Sequence, residues 1–565
     1  MFQPDHFDAT WKLTRCRRRR WSLNSLLLIA WLVFAGASAG IVQAEGPEQI
    51  PADEPLEAFG EVIEVRLVEV EVVVTGARGR RVPGLRAEDF ELLVDGEPQS
   101  VDYFSEVRDN RQGQRTEEPV EESEDGAAAP GEPATGDAVQ EPVHSWLVFI
   151  DDYFTHRAYR GLLLERLLRD VESLNPGDRM AVVRYAGWKL EVLTPWTSSK
   201  AQLRRAIEDV QALEPGEQRR RAQLDAWTSI NDEGAERAEL ESRDLAKVVN
   251  AASVTLRSFA QAEGRKLFVL MTSGWPYDPG PIAVSEPIDR SFLEQLRAGN
   301  LARIRSVSDV ANLVGYTIYP LHLGLAPSPV NAASSGPSGG SSLDFGTRAK
   351  RDSLSLLAEE TGGAMMTYAV AKPTLPVEWV QEDTRAYYVL GFSPRIVRDG
   401  GRHEVEVRVR GRGLKTRHRS GYRDLTRQEQ ASLATEAVLL QEGSVENTLE
   451  VSFGEARKIR LGSARVPMTV RIPMDWVTML PVSGAPANGV HHASLRLRVA
   501  VVDDRGNQSE LAVVPVRFQG EKPEPGEVAV YETEVKLRRE KHTLAVSLED
   551  TLSNEMLTSR VELDL

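Results

Sequence analysis

The sequence contains a single cysteine among 565 residues, Cys16, and this residue precedes the only apolar stretch long enough to approach a membrane span. A lipid-attachment cysteine would follow such a stretch. If the N-terminal segment is removed, the mature chain has no thiol. That excludes disulfides, thiolate metal sites and a cysteine nucleophile from the mature protein.

Catalytic motifs are also missing. The nine histidines are scattered, with only His491 and His492 adjacent, and no HExxH spacing predicts a zinc site. No glycine-rich segment follows a strand and ends in GK[ST], so no nucleotide-binding loop is predicted. The stretch "LMTSGW" lacks the first glycine of a G-x-S-x-G elbow. We therefore expect the chain not to be an enzyme.

Basic residues are outnumbered, and the net charge is −16. General nucleic-acid binding needs a basic surface that neutralises phosphates, so no nucleic-acid partner is expected.

The N-terminus has the pattern of an export signal. A basic run, "RCRRRRW", precedes "SLLLIAWLVFAGASAGI", and small residues end in "VQA" before Glu45. This predicts a signal peptide over residues 1–44, cleaved after Ala44, and a periplasmic or secreted protein. Cleavage removes six basic and two acidic side chains, so the net charge falls from −16 to −20. The alternative is an uncleaved membrane anchor, because the apolar stretch is nearly long enough to span.

The length of the chain predicts several domains. Val68, Val70, Val72 and Val74 lie at alternate positions, with Glu69 and Glu71 between the first three, which is typical of an extended strand. Residues 107–143 are acidic and rich in proline, glycine and alanine, and they carry too little apolar surface to fold. The predicted order after the signal peptide is an N-terminal β-domain (45–106), an acidic disordered linker (107–143), an α/β domain (144–384), a closing β-hairpin unit (385–424) and a C-terminal β-sandwich (425–565).

The α/β domain is predicted from two near-continuous apolar strands, "WLVFI" and "KLFVLMT", separated by helical patterns. Strands of this kind are covered by helices on both faces. Crossover helices between them imply parallel pairing. The predicted fold class is therefore multi-domain, with a central doubly wound, Rossmann-like α/β domain flanked by an N-terminal β-unit and a C-terminal β-sandwich.

The first of these strands ends in two carboxylates, Asp151 and Asp152. Ligands of open α/β sheets bind at the carboxyl ends of the strands. Two interpretations stay open. Asp151, Asp152 and Thr155 either cap the first helix, whose free N–H groups they would satisfy, or hold a cation.

Three stretches, in order, carry a resemblance to a known family: "GLRAEDFELLVDGEPQSVDYFSE", "LVFIDDYFTH" with "NPGDRMAVVRYAGWKLEVLTPWTSSKAQLRRAI", and "YYVLGFSPRIVRDGGRHEVEVRVRGRGLKTRHRSGY". The chain resembles von Willebrand factor type A (VWA) domain proteins of the secreted bacterial, VWA-related kind. The resemblance covers residues 61–424, and the rest of the C-terminal part carries no motif of the family.

The resemblance implies a metal-ion-dependent adhesion site. In the family, D-x-S-x-S after the first strand, a threonine from a second loop and an aspartate after the fourth strand hold Mg²⁺, which prefers six oxygen ligands. In this chain Asp151 matches the first aspartate and Thr155 the last hydroxyl. Tyr153 replaces the first serine, and Ser273 stands where the family often has aspartate.

The pattern therefore predicts a degenerate site. Thr228 is the candidate for the middle threonine, and Asp152 and Asp278 offer further carboxylates. The chain is predicted either to use no cofactor or to bind Mg²⁺ through Asp151, Thr155, Ser273 and Asp152.

We expect an exported protein of the protein–protein interaction or adhesion type. Its partner, a protein of unknown identity, would bind the top face of the VWA-like domain around Tyr153, Trp275 and Asp278. The alternative is an envelope scaffold whose VWA domain is purely structural. A third interpretation is a hydrolase with an acidic apical site.

Overall fold

The fold alternates small β-units with one large α/β unit. It is known from a computed structural model, which describes residues 10–14, 67–108, 111–114, 144–228, 234–279, 289–322, 342–367, 376–394, 398–441, 446–460, 462–482 and 489–565. Most of the predicted signal peptide and most of the predicted linker lie outside these residues. Among the described helices, none is long and apolar enough to cross a membrane.

The N-terminal part is built of short strands: β1 (Thr10–Thr14), β2 (Val68–Thr75), β3 (Phe90–Val94), β4 (Glu97–Gln99), β5 (Tyr103–Arg108) and β6 (Arg111–Gln114). The alternation at the start of β2 is observed, because Val70, Val72 and Val74 are buried in one cluster. Asp95 and Gly96 join β3 to β4 with positive φ angles of 53° and 82°, as a two-residue hairpin requires. The strand β6 falls inside the segment predicted to be a linker.

The α/β unit follows, with strands β7 (His144–Asp151), β8 (Arg179–Tyr185), β9 (Leu190–Thr197), β10 (Arg265–Thr272), β11 (Tyr316–His322) and β12 (Met366–Thr367). Its helices are α1 (Arg157–Asp170), α2 (Lys200–Ala212), α3 (Gly216–Thr228), α4 (Gly234–Ser258), α5 (Arg290–Val314), α6 (Ser342–Glu360) and α7 (Pro376–Asp383). The sheet order is β12-β11-β10-β7-β8-β9, and every pair is parallel except β8 with β9.

Successive side chains of the central strand β7 enter different cores. Leu147 and Phe149 pack with α4 and α5 on one face of the sheet, whereas Trp146, Val148 and Ile150 pack with α1 and α2 on the other. Helices therefore cover both faces of the sheet, and this explains why the strand has an unbroken apolar run.

The next strands return to the N-terminal part. They are β13 (Ala386–Phe392), β14 (Arg402–Val409), β15 (Lys415–Arg417) and β16 (Gly421–Arg423), followed by α8 (Arg427–Glu436). Strand β13 lies between β2 and β5, and β14 pairs with β3. The units predicted as an N-terminal β-domain and a separate closing hairpin thus share two sheets and one core. The α/β unit is inserted between their strands.

The C-terminal part consists of β17 (Glu450–Phe453), β18 (Arg457–Arg460), β19 (Ser463–Pro473), β20 (Leu480–Pro481), β21 (His491–Asp503), β22 (Ala512–Gly520), β23 (Val528–Arg538), β24 (Lys541–Asp550) and β25 (Met556–Asp564). Strands β17, β18, β19 and β23, with β1, form one antiparallel sheet; β20, β21, β22, β24 and β25 form the other. One apolar cluster fills the space between them. The chain thus combines mixed α/β and β-rich units, as the sequence predicts.

Polar contacts join the three units. At the base of the α/β sheet, Arg265 pairs with Glu71 at 2.7 Å and lies 3.9 Å from the ring centre of Tyr387. On its flank, Asn250 of α4 donates to the carbonyl of Gly506 at 2.6 Å, and Arg257 pairs with Glu436 at 3.0 Å. Both β-units are therefore held directly against the α/β unit.

Asp170, at the end of α1, is fully buried, and burial raises the pKa of its carboxyl to about 7. The backbone amides of Val377 and Glu378, at the start of α7, partly oppose that rise. An unfolded chain loses this proton near pH 4. Between about pH 4 and pH 7 the folded state therefore binds more protons than the unfolded state, and stability falls as the pH rises.

We predict that Asp170→Asn flattens this pH dependence. The wild-type chain should lose up to about 4 kcal/mol through this group between pH 4 and pH 7, whereas the amide has no proton to lose. Thermal unfolding midpoints at pH 5 and pH 8 measure the effect, with Glu165→Gln, on the exposed side of α1, as the control. An equal pH dependence in Asp170→Asn and wild type would contradict the assignment.

Candidate functional site

The candidate site lies at the carboxyl edge of the α/β sheet, where β7 ends in Asp151 between β8 and β10. Asp151 has no exposed surface. Its Oδ1 accepts hydrogen bonds from the backbone N–H groups of Tyr153 (3.1 Å) and Phe154 (3.0 Å). Its Oδ2 accepts from the hydroxyl of Thr272 (2.7 Å) and the indole N–H of Trp275 (2.9 Å). A carboxylate has about four acceptor positions, and four internal donors use them here.

The pKa of the Asp151 carboxyl is raised overall, because the effect of burial outweighs the hydrogen bonds from Thr272, Phe154 and Trp275, which lower it. Hydrogen-bond donors of this kind favour the ionised form of a carboxyl and offset part of the cost of burying it. The carboxylate thus ties the end of β7 to the end of β10 and to the loop that follows β10.

Asp152 is neutralised by two arginines. Arg160 of α1 binds it in a bidentate manner, with Nε 2.7 Å from Oδ1 and Nη2 3.1 Å from Oδ2. Arg184 of β8 places its Nε 2.6 Å from Oδ2. All three residues are buried. The second carboxylate of the strand tip is therefore a buried structural ion pair.

Helix α3 packs over the tip of β7. Its first residue, Gly216, approaches so closely that a Cβ atom there would lie 2.5 Å from the carbonyl oxygen of Ala186. The backbone N–H of Glu217 donates to the carbonyl of Asp152 at 2.9 Å. The guanidinium of Arg220 lies 4.4 Å from the ring centre of Phe154. Helix α3 therefore covers the carboxyl edge of the sheet beside β7.

The two aromatic residues predicted to contact a partner are buried. Tyr153 is 3% exposed, and Trp275 is 0% exposed. The Tyr153 ring lies against Gly187, with ring carbons 2.1 to 2.9 Å from the position of a Cβ atom there. Direct contact between a partner and either side chain would require α3 or the loop after β10 to move.

The remaining predicted residues are spread out. Ser273 is half-buried, and its Oγ accepts from the backbone N–H of His156 at 3.1 Å, which links it to the loop after β7. Thr155 is buried, and its Oγ1 has no hydrogen-bond partner among the described residues. Asp278 is partly exposed and lies 3.9 Å from the guanidinium of Arg297. The side chain of Thr228, at the end of α3, lies outside the described residues.

These residues do not fit the Mg²⁺ site that the resemblance implies. A divalent cation needs free oxygen lone pairs in an octahedral arrangement. The lone pairs of Asp151 are occupied by donors, and the charge of Asp152 is already compensated by two guanidinium groups. Within the described ranges no group of three or more histidine, cysteine, aspartate or glutamate side chains is arranged for a metal ion. Of the predicted residues, Thr155 has a buried side-chain oxygen with no hydrogen-bond partner among the described residues.

Sequence reasoning missed the residues that close this site. Arg184 interrupts the apolar strand "RMAVVRY", and a charge in a buried strand is a signal for a buried partner. Arg160 lies eight positions after Asp152 and carries no comparable signal. The donor role of the Trp275 indole depends on the path of a loop, which the sequence does not reveal.

Comparisons with known proteins add little. No family model matches the chain, and no curated protein matches it. Among solved structures, the SpRpn10 VWA domain is similar at 12% identity, covering 42% of this chain and 94% of that one, with a TM-score of 0.19. The TFIIH p34 N-terminal domain is similar at 12% identity, covering 42% and 95%, with a TM-score of 0.17.

A β-glucuronidase from Bacteroides uniformis is similar at 10% identity over 21% of this chain, with a TM-score of 0.14. The present chain covers 13% of the length of that enzyme. None of these likenesses establishes a family or an activity for the chain.

We predict that Asp151→Ala strongly destabilises the fold. It would leave two backbone N–H groups, a hydroxyl and an indole N–H buried without their acceptor, and each such group costs about 1–3 kcal/mol. Because these costs are not additive, we expect a total loss of about 3–5 kcal/mol. Denaturant unfolding measures it.

Asp278→Ala is the matched control, since it removes a partly exposed carboxylate from the same predicted site. It should change the free energy of unfolding by no more than about 0.5 kcal/mol. Equal stabilities of the two variants would show that the hydrogen bonds of Asp151 do not support the fold.

Proposed function

We propose that the chain is an exported, non-enzymatic interaction scaffold with a VWA-like α/β unit that works without a metal ion. The observation that carries this proposal is the saturation of Asp151 by four internal donors. An adhesion site of the metal-dependent kind leaves a coordination position for a partner's acidic group, whereas here protein donors take the place of both metal and partner. The α/β unit would then serve as a structural core.

The contacts between units support a scaffold role. Asp383, at the end of α7, pairs with Arg81 and Arg417 of the first β-unit and accepts from the hydroxyl of Tyr319 at 3.0 Å. On the other side, the backbone N–H of Leu190 donates to the carbonyl of Asp504 at 2.8 Å. A body held together in this way presents its β-units in a fixed arrangement, which suits binding of other macromolecules.

A hydrolase has less support. A serine nucleophile needs a base that takes its proton. The Ser273 hydroxyl oxygen accepts a hydrogen bond from the backbone N–H of His156, which is a donor and not a base. Asp151 and Asp152, the other reactive groups of the edge, are held by donors and by arginines.

Export and a protein partner remain part of the proposal. The leader pattern over residues 1–44 supports a periplasmic or secreted location, and a mature net charge of −20 disfavours nucleic acid. The top-face contact predicted from the sequence would demand rearrangement of α3, so we place recognition on the β-units.

Thermal unfolding with metal ions tests the proposal. A ligand that binds only the folded state raises the unfolding midpoint by mass action. We expect the same midpoint in EDTA, in millimolar Mg²⁺ and in millimolar Mn²⁺, and the same partner bands after cross-linking in periplasmic extract with and without EDTA.

A saturable rise in the midpoint with Mg²⁺ or Mn²⁺ that is absent in Asp151→Asn and present in Asp278→Asn would contradict the proposal. Such a rise would place a metal ion on Asp151, because both variants remove one carboxylate from the same region and only one removes the expected ligand.

A further inference from the structure

The C-terminal sandwich has an incompletely paired strand. On one side, β23 pairs with β19 along its whole length, from Val528 to Arg538. On its outer side it pairs only with β1, and that pairing covers Val528–Glu532. The rest of this outer edge, residues 533–538, has no strand partner in the described part of the chain. An unpaired edge of this kind is a template for another strand.

A cleft opens beside the unpaired part of β23. It has a volume of about 510 Å³ and lies between the end of β23 and the chain that leads into β22. Apolar residues from both sheets line it, among them Val499, Leu511, Val535 and Leu537. Two basic side chains, Lys536 and Arg538, also belong to its lining.

The strand already on this edge shows how a segment is accepted. The pairing of β1 is antiparallel, and its Trp11 and Leu13 are in register with Tyr531 and Ala529. Tyr531 and Ala529 are buried in the sandwich core.

Along the unpaired part of β23 the same alternation continues, because Val535 and Leu537 are buried whereas Lys536 and Arg538 are exposed. A longer strand would therefore direct every second side chain toward the interior and the cleft.

We propose that the outer edge of β23, together with this cleft, accepts an extended peptide segment of a partner protein as an added antiparallel strand. The segment carries apolar residues at alternate positions, facing the core and the cleft, and acidic residues opposite Lys536 and Arg538. Main-chain hydrogen bonds supply affinity and the alternate side chains supply specificity, as in other cases of strand addition.

The inference rests on the proposed function in one respect, namely export. Cleavage after Ala44 would remove β1, which lies in the predicted signal peptide, and would leave the edge from Val528 to Arg538 open. A second copy of the chain is a poorer occupant. When the whole edge from Val528 to Arg538 pairs antiparallel with that of a second copy, Glu532 of each copy faces Glu534 of the other, and like charges in facing strands are destabilising.

Peptide binding tests the inference. The probe is a fluorescent eleven-residue peptide whose last five residues, Thr-Trp-Lys-Leu-Thr, are those of β1. Its first six residues would face residues 533–538 of β23. The residues facing 533, 535 and 537 are apolar, and those facing Lys536 and Arg538 are acidic. Fluorescence anisotropy measures its affinity for the processed chain (45–565) and for the full chain. We expect at least tenfold weaker binding to the full chain, in which β1 competes for the edge.

Two matched controls separate strand addition from adsorption. A peptide with the same side chains but with alternate backbone nitrogens methylated lacks the main-chain donors and should not bind. In the protein, Val513→Lys changes a cleft-lining residue that is 47% exposed, and Val490→Lys changes an equally apolar residue that is 40% exposed and lies outside the cleft lining. We expect about tenfold weaker binding for the first and unchanged binding for the second.

Equal binding of the methylated peptide, equal effects of the two lysine variants, or no binding at millimolar peptide would each overturn the inference. None of these results affects the metal titration that tests the proposed function. Conversely, a metal-dependent midpoint would overturn the proposed function and leave peptide binding as measured.

Discussion

Four hydrogen bonds to one buried carboxylate hold the carboxyl edge of the α/β sheet together. Asp151 accepts from its own loop through two backbone N–H groups and from the neighbouring strand through Thr272 and Trp275. Burying an ion is costly unless donors replace its water, and here the replacement is complete. The positions of the loop after β7 and of Trp275 follow from this requirement.

The next residue reinforces the same edge by different chemistry. The carboxylate of Asp152 receives two guanidinium groups, from α1 and from β8, so three elements converge on one charge. With α3 packed above, the edge that binds ligands in many α/β proteins has become part of the interior. In our proposal, recognition falls to the β-units, where part of the outer edge of β23 has no strand partner among the described residues.

Periodicity predicts the parts of this fold that depend on local patterns. The run "WLVFI" identifies a strand covered on both faces, and the alternation of Val68, Val70 and Val72 with Glu69 and Glu71 identifies a strand segment with one apolar face, because side-chain direction follows directly from residue spacing. Periodicity does not predict which strands pair with each other. Tyr388 pairs with Val72 across more than three hundred residues, and no local signal in the sequence indicates that the closing unit completes the first one.

In the candidate site, too, local sequence patterns predict some residues and not the residues that contact them. Sequence reasoning identified Asp151 and Asp152 because two acidic residues directly after an apolar run stand out in the sequence. It did not identify their partners, since the contacts of Asp152 with Arg160 and Arg184 arise from the packing of separate elements. The sequence alone does not distinguish a carboxylate that binds a cation at the end of a strand from one that accepts hydrogen bonds from internal donors.

The most direct test of the account is the indole N–H signal of Trp275 in a ¹H–¹⁵N spectrum, assigned with a Trp275→Phe variant and followed during a Mn²⁺ titration. This proton is donated to Asp151, so a paramagnetic ion on that carboxylate would broaden the signal first. The account predicts an unchanged signal at millimolar Mn²⁺. Selective broadening of this signal, before those of the other tryptophans, would contradict it.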